Sequence, residues 1–309
     1  SPAYTFITSA TGRDSLLFSY GLTLPTSPAP APNAPGGPLN TYYWVTDPDG
    51  TSYWSTVYLN AGFWLSMGNA STVAGTNFLG TYDSTDFSVH VDQAGVGAQG
   101  RQRVMRYQPR LVSPNVLGGF SGNSIIGAAN GVVIGGGGQN GGLNRVSSGS
   151  ANNATIGGGV NNNASGANTR IFGGSGNAAS ATGAIAGGTS STASGANAVG
   201  VGNTAVASGA AAVSLGGSTT SSGANSVAMG LQSQATNTRS VALGNASVAS
   251  GANAVSIGSG SRSTNTSSVA IGGLDTASGQ TSVAIGNTAA ATGTSAVAIG
   301  SQLDARQSS

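Results

Sequence analysis

The chain contains no cysteine, no lysine and no glutamate, and its single histidine is His90. Each absence excludes something. Without cysteine there can be no disulfide staple and no cysteine-based metal site. Without glutamate, the acid usually tuned for glycoside hydrolysis is missing, and aspartates such as Asp83 and Asp86 would have to supply both carboxylates. His90 with Asp83, Asp86 or Asp92 can be drawn as part of a catalytic triad, but its place in an alternating strand pattern favours a structural role. Ten arginines against eight aspartates leave a formal charge of +2, too small to point to nucleic acid or an anionic membrane. No apolar run approaches the ~20 residues that cross a bilayer, and no charged and apolar leader opens the chain. The reading is of a non-enzyme with no cofactor and no membrane insertion.

What is present is glycine, serine, alanine, asparagine and threonine, unevenly arranged. All ten prolines lie at or before Pro114, as does every aromatic residue except Phe120 and Phe172. Three segments follow: 1–110 as an all-β N-terminal attachment or binding module, 111–195 as irregular glycine-rich β coils, and 196–309 as a regular repeat array.

The array keeps strict time. Val213-x-Leu215, Val227-x-Met229, Val241-x-Leu243, Val255-x-Ile257, Val269-x-Ile271, Val283-x-Ile285 and Val297-x-Ile299 recur on a 14-residue clock, each followed by glycine. Alternation of large and small residues in these units has the period of a strand, and glycine at this density argues against helix. A second glycine column runs through Gly195, Gly209, Gly223, Gly251, Gly279 and Gly293, with Asn237 and Asn265 completing it. Asparagine is the residue after glycine that best tolerates a left-handed backbone, so a corner with positive φ is expected in that column. Another corner should follow Gly202, Gly216, Gly230 and their equivalents. Upstream, Ile171 and Ile185 keep the same interval, Ile156 is offset by one, and Val116-Leu117-Gly118-Gly119 reads as the first of the series.

Two sizeable apolar side chains per rung weigh little against the entropy of ordering the whole rung. A lone coil is therefore marginal, and packing of several chains around a shared axis is expected, with those valines, leucines, isoleucines and Met229 as the trimer and rung core. The run from Ser282 to Gly293, Ser-Val-Ala-Ile-Gly-Asn-Thr-Ala-Ala-Ala-Thr-Gly, resembles the head repeat of the YadA-like trimeric autotransporter adhesins. That resemblance covers about 195–300 strongly and 115–195 more weakly. It implies a homotrimeric left-handed parallel β-roll packed through valine and isoleucine. The repeat is also seen in phage fibre-type proteins. No coiled-coil stalk, neck-like heptads or membrane-barrel pattern accompanies it, and the proline-bearing N-terminal module leans toward an assembly such as a phage fibre.

Residues 1–110 read as interrupted strands: Tyr4 to Ile7, Leu16 to Tyr20, then a proline-rich arm over 25–38. Thr41 to Thr46 and Ser52 to Leu59 flank Asp47-Pro48-Asp49-Gly50 as a hairpin, a turn too poor in ligands to hold calcium. Phe87 to Val91 and Arg103 to Tyr107 suggest a second hairpin. Tyr43, Trp44, Trp54 and Trp64 are the candidate ligand or docking aromatics. Gly136-x-Gly138-x-x-Gly141 after an apolar run imitates a dinucleotide fingerprint, but neither the following helix nor the later acid is there. Arg239, Arg262 and Asp275 read as solvated rim residues. Scattered threonine argues against an ice-binding face.

The sequence thus predicts an all-β, trimeric β-solenoid preceded by a small all-β module. It would act as an extracellular adhesin or receptor-binding fibre on a virion or cell surface, meeting a host glycan or protein. The alternative is a structural spacer or decoration protein of a phage tail, capsid or filament, anchored through the N-terminal module.

Overall fold

The computed structural model describes residues 5–8, 14–17, 41–46, 52–57, 79–81, 83–92 and 101–306, with side chains described for 79–81, 83–91 and 103–306. Two compact units result, Ser1–Gly80 and Thr81–Ser309. In the first, β1 (Thr5–Thr8) pairs antiparallel with β2 (Asp14–Leu17), and β3 (Thr41–Thr46) with β4 (Ser52–Val57). The hairpin around Asp47–Gly50 is thus present, although the turn itself and the arm at 25–38 lie outside the described residues.

The second unit is a parallel β-solenoid. Its strands stack into a fifteen-stranded major sheet and a thirteen-stranded minor sheet, and along the coil successive strands alternate between them. Val227–Met229, for example, pairs in parallel with Val213–Leu215 on one side and Val241–Leu243 on the other. Gln234–Ala235 does the same in the minor sheet, between Thr220–Ser221 and Val248–Ala249. Among the described residues there is no helix.

The hairpin expected to belong with the N-terminal module belongs here instead. β5 (Phe87–Asp92) pairs antiparallel with β6 (Arg101–Gln108), and β6 with β7 (Asn115–Gly118), which begins the parallel stack. The compositional break near residue 110 is therefore not where the coil starts. An antiparallel hairpin laid on the first rung satisfies an edge that would otherwise offer free N–H and C=O groups to other chains.

The corners correct one expectation. None of Gly195, Gly209, Gly223, Gly251, Gly279 or Gly293 has a left-handed φ. The left-handed residue comes two positions later, at Asn197, Ala211, Asn225, Arg239, Asn253, Ser267, Thr281 and Ser295, with φ between 54° and 58°. Non-glycine residues are held there because the turn aims each N–H at the preceding rung: Asn253 donates to the Thr238 carbonyl (2.9 Å) and Arg239 to that of Ala224 (2.8 Å). The glycine column exists for a different reason, close approach. A Cβ on Gly209 would overlap the backbone carbonyl of Gly223 in the next rung. Where asparagine replaces it, the side chain joins the ladder, Asn237 Nδ2 donating to the Ser250 carbonyl (3.3 Å). The second corner agrees with the sequence: Gly230 and Gly244 take φ of 122° and 132°, open to glycine alone at little cost.

The interior changes character along the stack. Every one of the bulkiest fully buried side chains lies at or before Asn177, among them Leu117, Ile134, Val146, Ile156 and Ile171. Beside them runs a buried asparagine ladder. Asn144 N–H donates to Asn123 Oδ1 (3.0 Å), Asn162 N–H to Asn144 Oδ1 (3.1 Å) and Asn177 N–H to Asn162 Oδ1 (3.0 Å), and Ser191 closes the series on Asn177 Oδ1. The side-chain amides also reach backbone carbonyls, as Asn162 Nδ2 does at Gly158 (2.8 Å). A buried polar column is stable only when satisfied in this way.

Downstream, the coil is filled by alanine and serine: Ala228, Ala235, Ala242, Ala249 and Ala270, with Ser226, Ser240, Ser256 and Ser263, are all fully buried. Buried serines come largely in pairs, Ser221 with Ser226 (2.6 Å), Ser256 with Ser261 (2.8 Å) and Ser263 with Ser268 (2.6 Å). Ser233 Oγ is the exception, buried without a partner.

The switch between the two interiors is a register step. Ile156 pairs with Ile171, and Ile171 pairs in turn with Ala186. From Ile185 the interval is one position shorter, Ile185 meeting Val199. Ile156 is thus in column with Ile171, and the offset falls between Ile171 and Ile185 rather than before it. A slip of one residue sends a side chain to the other face, so Ile171 is inside and Ile185 outside.

Candidate binding face

The alternation inside each major-sheet strand decides what the coil presents to its surroundings. In Val241-Ala242-Leu243 the alanine is fully buried and its neighbours are half-buried on the outer surface. The same alternation holds for Val213 and Leu215, Val227 and Met229, Val255 and Ile257, Val269 and Ile271, and Val283 and Ile285. Val297 and Ile299, on the last described rung of the sheet, are 57% and 61% exposed. The interior of these downstream coils is therefore mainly alanine and serine. The larger side chains form two continuous outer ranks, sheltered only by their own neighbours above and below.

The reason is space. A 14-residue coil leaves room between its two sheets for methyl and hydroxymethyl groups, and the columns at both sheets hold little larger. Bulk can go only outward, where it builds an apolar strip that one chain does not cover. The minor sheet presents a different surface: Thr192, Thr220, Gln234, Arg262, Thr276 and Asp304 face outward there, alternating irregularly with Val206, Val248 and Ala290.

The apolar strip weakens upstream. At the corresponding position Arg170 is exposed, Phe172 is 65% exposed, and its ring lies over Gly187. The coils that carry their own aliphatic interior are thus also those with the less apolar outer face.

Asp275 is not a rim residue. It is fully buried, in the corner column otherwise held by Ser247, Ser261 and Ala289. Its carboxylate accepts from the Gly286 N–H (2.9 Å) and the Ala289 N–H (2.7 Å), tying its own rung to the next. Arg239 and Arg262 are exposed, as expected of rim positions.

Other candidates separate. His90 is exposed on the cap hairpin, in register with Arg103, while Asp86 lies 3.5 Å from Arg106. Asp83 is held by Thr85, whose hydroxyl keeps its carboxyl below the ordinary value. Burial, reinforced by neighbouring Arg106, pushes Arg103 down, and its guanidinium donates to the Ser121 carbonyl (2.7 Å). No triad is assembled among the described residues. The glycines from Gly136 to Gly141 form a corner, not a helix N-terminus. Tyr43 and Trp44 lie in β3 and Trp54 in β4, Trp44 and Trp54 being register partners. Their side chains, and Trp64 altogether, are outside the described residues. No group of metal ligands occurs among those described.

A stack of short parallel rungs with alanine inside and aliphatic ranks outside defines a repeat-built β-solenoid. The family model for the YadA head domain repeat (2 copies) matches residues 221–247, 249–274 and 277–302. All three stretches fall within the 14-residue rungs, and the rungs over 221–302 match YadA-type head repeats. No curated protein matches the chain.

Proposed function

We propose that the protein is a surface-exposed, non-catalytic fibrous adhesin in which three copies close over the two aliphatic ranks of the major sheet. One observation carries this reading: from Val213 to Ile299 every rung turns its largest apolar side chains outward and keeps only small ones inside. Contiguous exposed apolar surface on this scale marks a contact site, and its burial stabilises assembly by about 25 cal/mol per Å². The YadA-type repeats at 221–302 support a threefold arrangement. The polar minor sheet would then face solvent and its ligand, and three copies of any weak site would sum by avidity.

The test is attachment. The purified chain should bind to a host-cell or matrix-coated surface. A Val255→Asp/Ile257→Asp variant, which places carboxylates in the outer ranks without touching the interior, should lose both assembly and attachment. Attachment by a monomeric variant as strong as that of the wild type would contradict the reading.

A second reading, a spacer or decoration protein on a virion or filament, is favoured by the separate unit at Ser1–Gly80. In it, that unit anchors the coil and carries the docking aromatics Tyr43, Trp44, Trp54 and Trp64. Deleting the unit would abolish incorporation into the parent particle while leaving the coil assembled.

A further inference from the structure

The regular rung takes seven positions from its major strand to its minor strand, as from Val199 to Val206. The corner between Val133 and Arg145 takes twelve. The additional length forms a loop whose Gln139 and Gly142 exchange backbone hydrogen bonds (3.1 and 3.0 Å). The loop is fastened to the next rung: Gly138 N–H donates to the Gly159 carbonyl (2.7 Å) and Asn161 N–H to that of Gly142 (3.3 Å). It walls a cleft of about 430 Å³ lined by Asn140, Leu143, Arg145, Asn161, Asn162 and Asn163. Insertions in solenoids map to loops on one face, often the binding face, and this volume suits a small ligand rather than a folded domain.

The lining is specific in kind. Arg145 and Asn163 are register neighbours, both exposed on the outer face of the minor sheet. Arg145 forms no ion pair with a described residue. Asn162 forms the floor, its amide committed to Asn144 Oδ1 and the carbonyls of Gly158 and Gly174. That leaves one uncommitted guanidinium, the exposed asparagines 140, 161 and 163, and one aliphatic wall. A guanidinium pairs with a carboxylate, as with other oxyanions, through two parallel hydrogen bonds. Primary amides, each with donors and an acceptor, match vicinal hydroxyls. Leu143 offers a surface for the C–H face of a ring.

From this set we infer a binding site for a carboxylate-bearing sugar at the end of a glycan, seated between the 139–143 loop and Arg145. The site rests on the adhesin reading only in that the minor sheet must stay open when the aliphatic ranks are covered. It is a recognition site and carries out no reaction.

The experiment uses the full chain. Calorimetry and saturation-transfer NMR would measure binding of the methyl glycosides of N-acetylneuraminic acid and glucuronic acid, with methyl glucoside and sodium acetate as comparisons. At least one acidic glycoside should bind ten-fold or more tightly than either comparison. Arg145→Gln should weaken it at least ten-fold without moving the thermal midpoint, because the side chain is exposed, and Asn163→Ala should weaken it less. Equal binding of neutral and acidic sugars, equal binding of acetate, no binding of either acidic glycoside, or an unchanged Arg145→Gln would each overturn the site. Surface attachment is scored in parallel. Attachment without sugar binding removes the site and leaves the adhesin reading, and sugar binding without attachment does the reverse.

Discussion

Ile171 lies in register with Ala186, not with Ile185 one position before it. That one-residue step divides the solenoid into a part whose aliphatic side chains fill the coil and a part whose aliphatic side chains leave it. The two isoleucines fall on the same beat of the repeat in sequence, yet they occupy opposite sides of one sheet.

Their substitutions should differ accordingly. Ile171→Ala empties a fully buried site and should cost about 2–5 kcal/mol. Ile185→Ala, at a half-buried outer position, should cost well under half as much under conditions where the chain is monomeric. Denaturant unfolding of the two variants side by side checks this, and equal losses would place both residues inside.

Ser233 Oγ is buried and unpartnered, while a serine such as Ser261 in a later rung is paired. Ser233→Ala removes an unsatisfied hydroxyl without changing the backbone and should stabilise the coil by about 1 kcal/mol. A fall in stability would mean that the hydroxyl does find a partner.

Asp275 clamps two N–H groups of the following rung. Asp275→Ala strands both donors and should cost about 1–3 kcal/mol for each that stays unsatisfied, while Asp275→Asn retains one acceptor oxygen and should lie between. Hydrogen exchange would localise the effect: the Gly286 and Ala289 amides should lose protection in Asp275→Ala while Gly230 and Gly244 keep theirs. Uniform loss across the rungs would contradict a local clamp.

Ala242 is fully buried in a coil filled by other small side chains. Ala242→Leu should destabilise by about 1–3 kcal/mol through overpacking, whereas Val241→Leu on the outer rank should leave the coil's own stability nearly unchanged. Thermal melts separate the two, and equal shifts in their midpoints would contradict the assignment of inside and outside.

Much of this architecture is legible in the chain because the repeat is strict. A 14-residue clock with period-2 alternation fits only a strand, and the antiparallel hairpin at Thr41–Val57 follows from its turn residues. Parity is the part that escapes. Val241-Ala242-Leu243 alternates whichever side faces in, and the usual assumption that larger apolar residues go inside fails in a coil too thin to hold them. The second glycine column misleads because asparagine substitution signals both left-handed φ and side-chain bonding to a neighbouring carbonyl, and Asn237 does the second. Asp275 resembles a surface residue because charge usually is one, and its two backbone donors come from a later rung. Composition puts the cap in the wrong unit, since it changes near residue 110 while pairing begins at Phe87. The Arg145 cleft is invisible in sequence because it joins residues from a loop and from two successive rungs.

If the outer ranks of Val, Leu, Ile and Met are contact surface between copies, light scattering of the full chain should return three times the 29.7 kDa chain mass, and the Val255→Asp/Ile257→Asp variant a folded single-chain mass. A wild-type monomer whose ranks stay solvent-accessible would show that they are not.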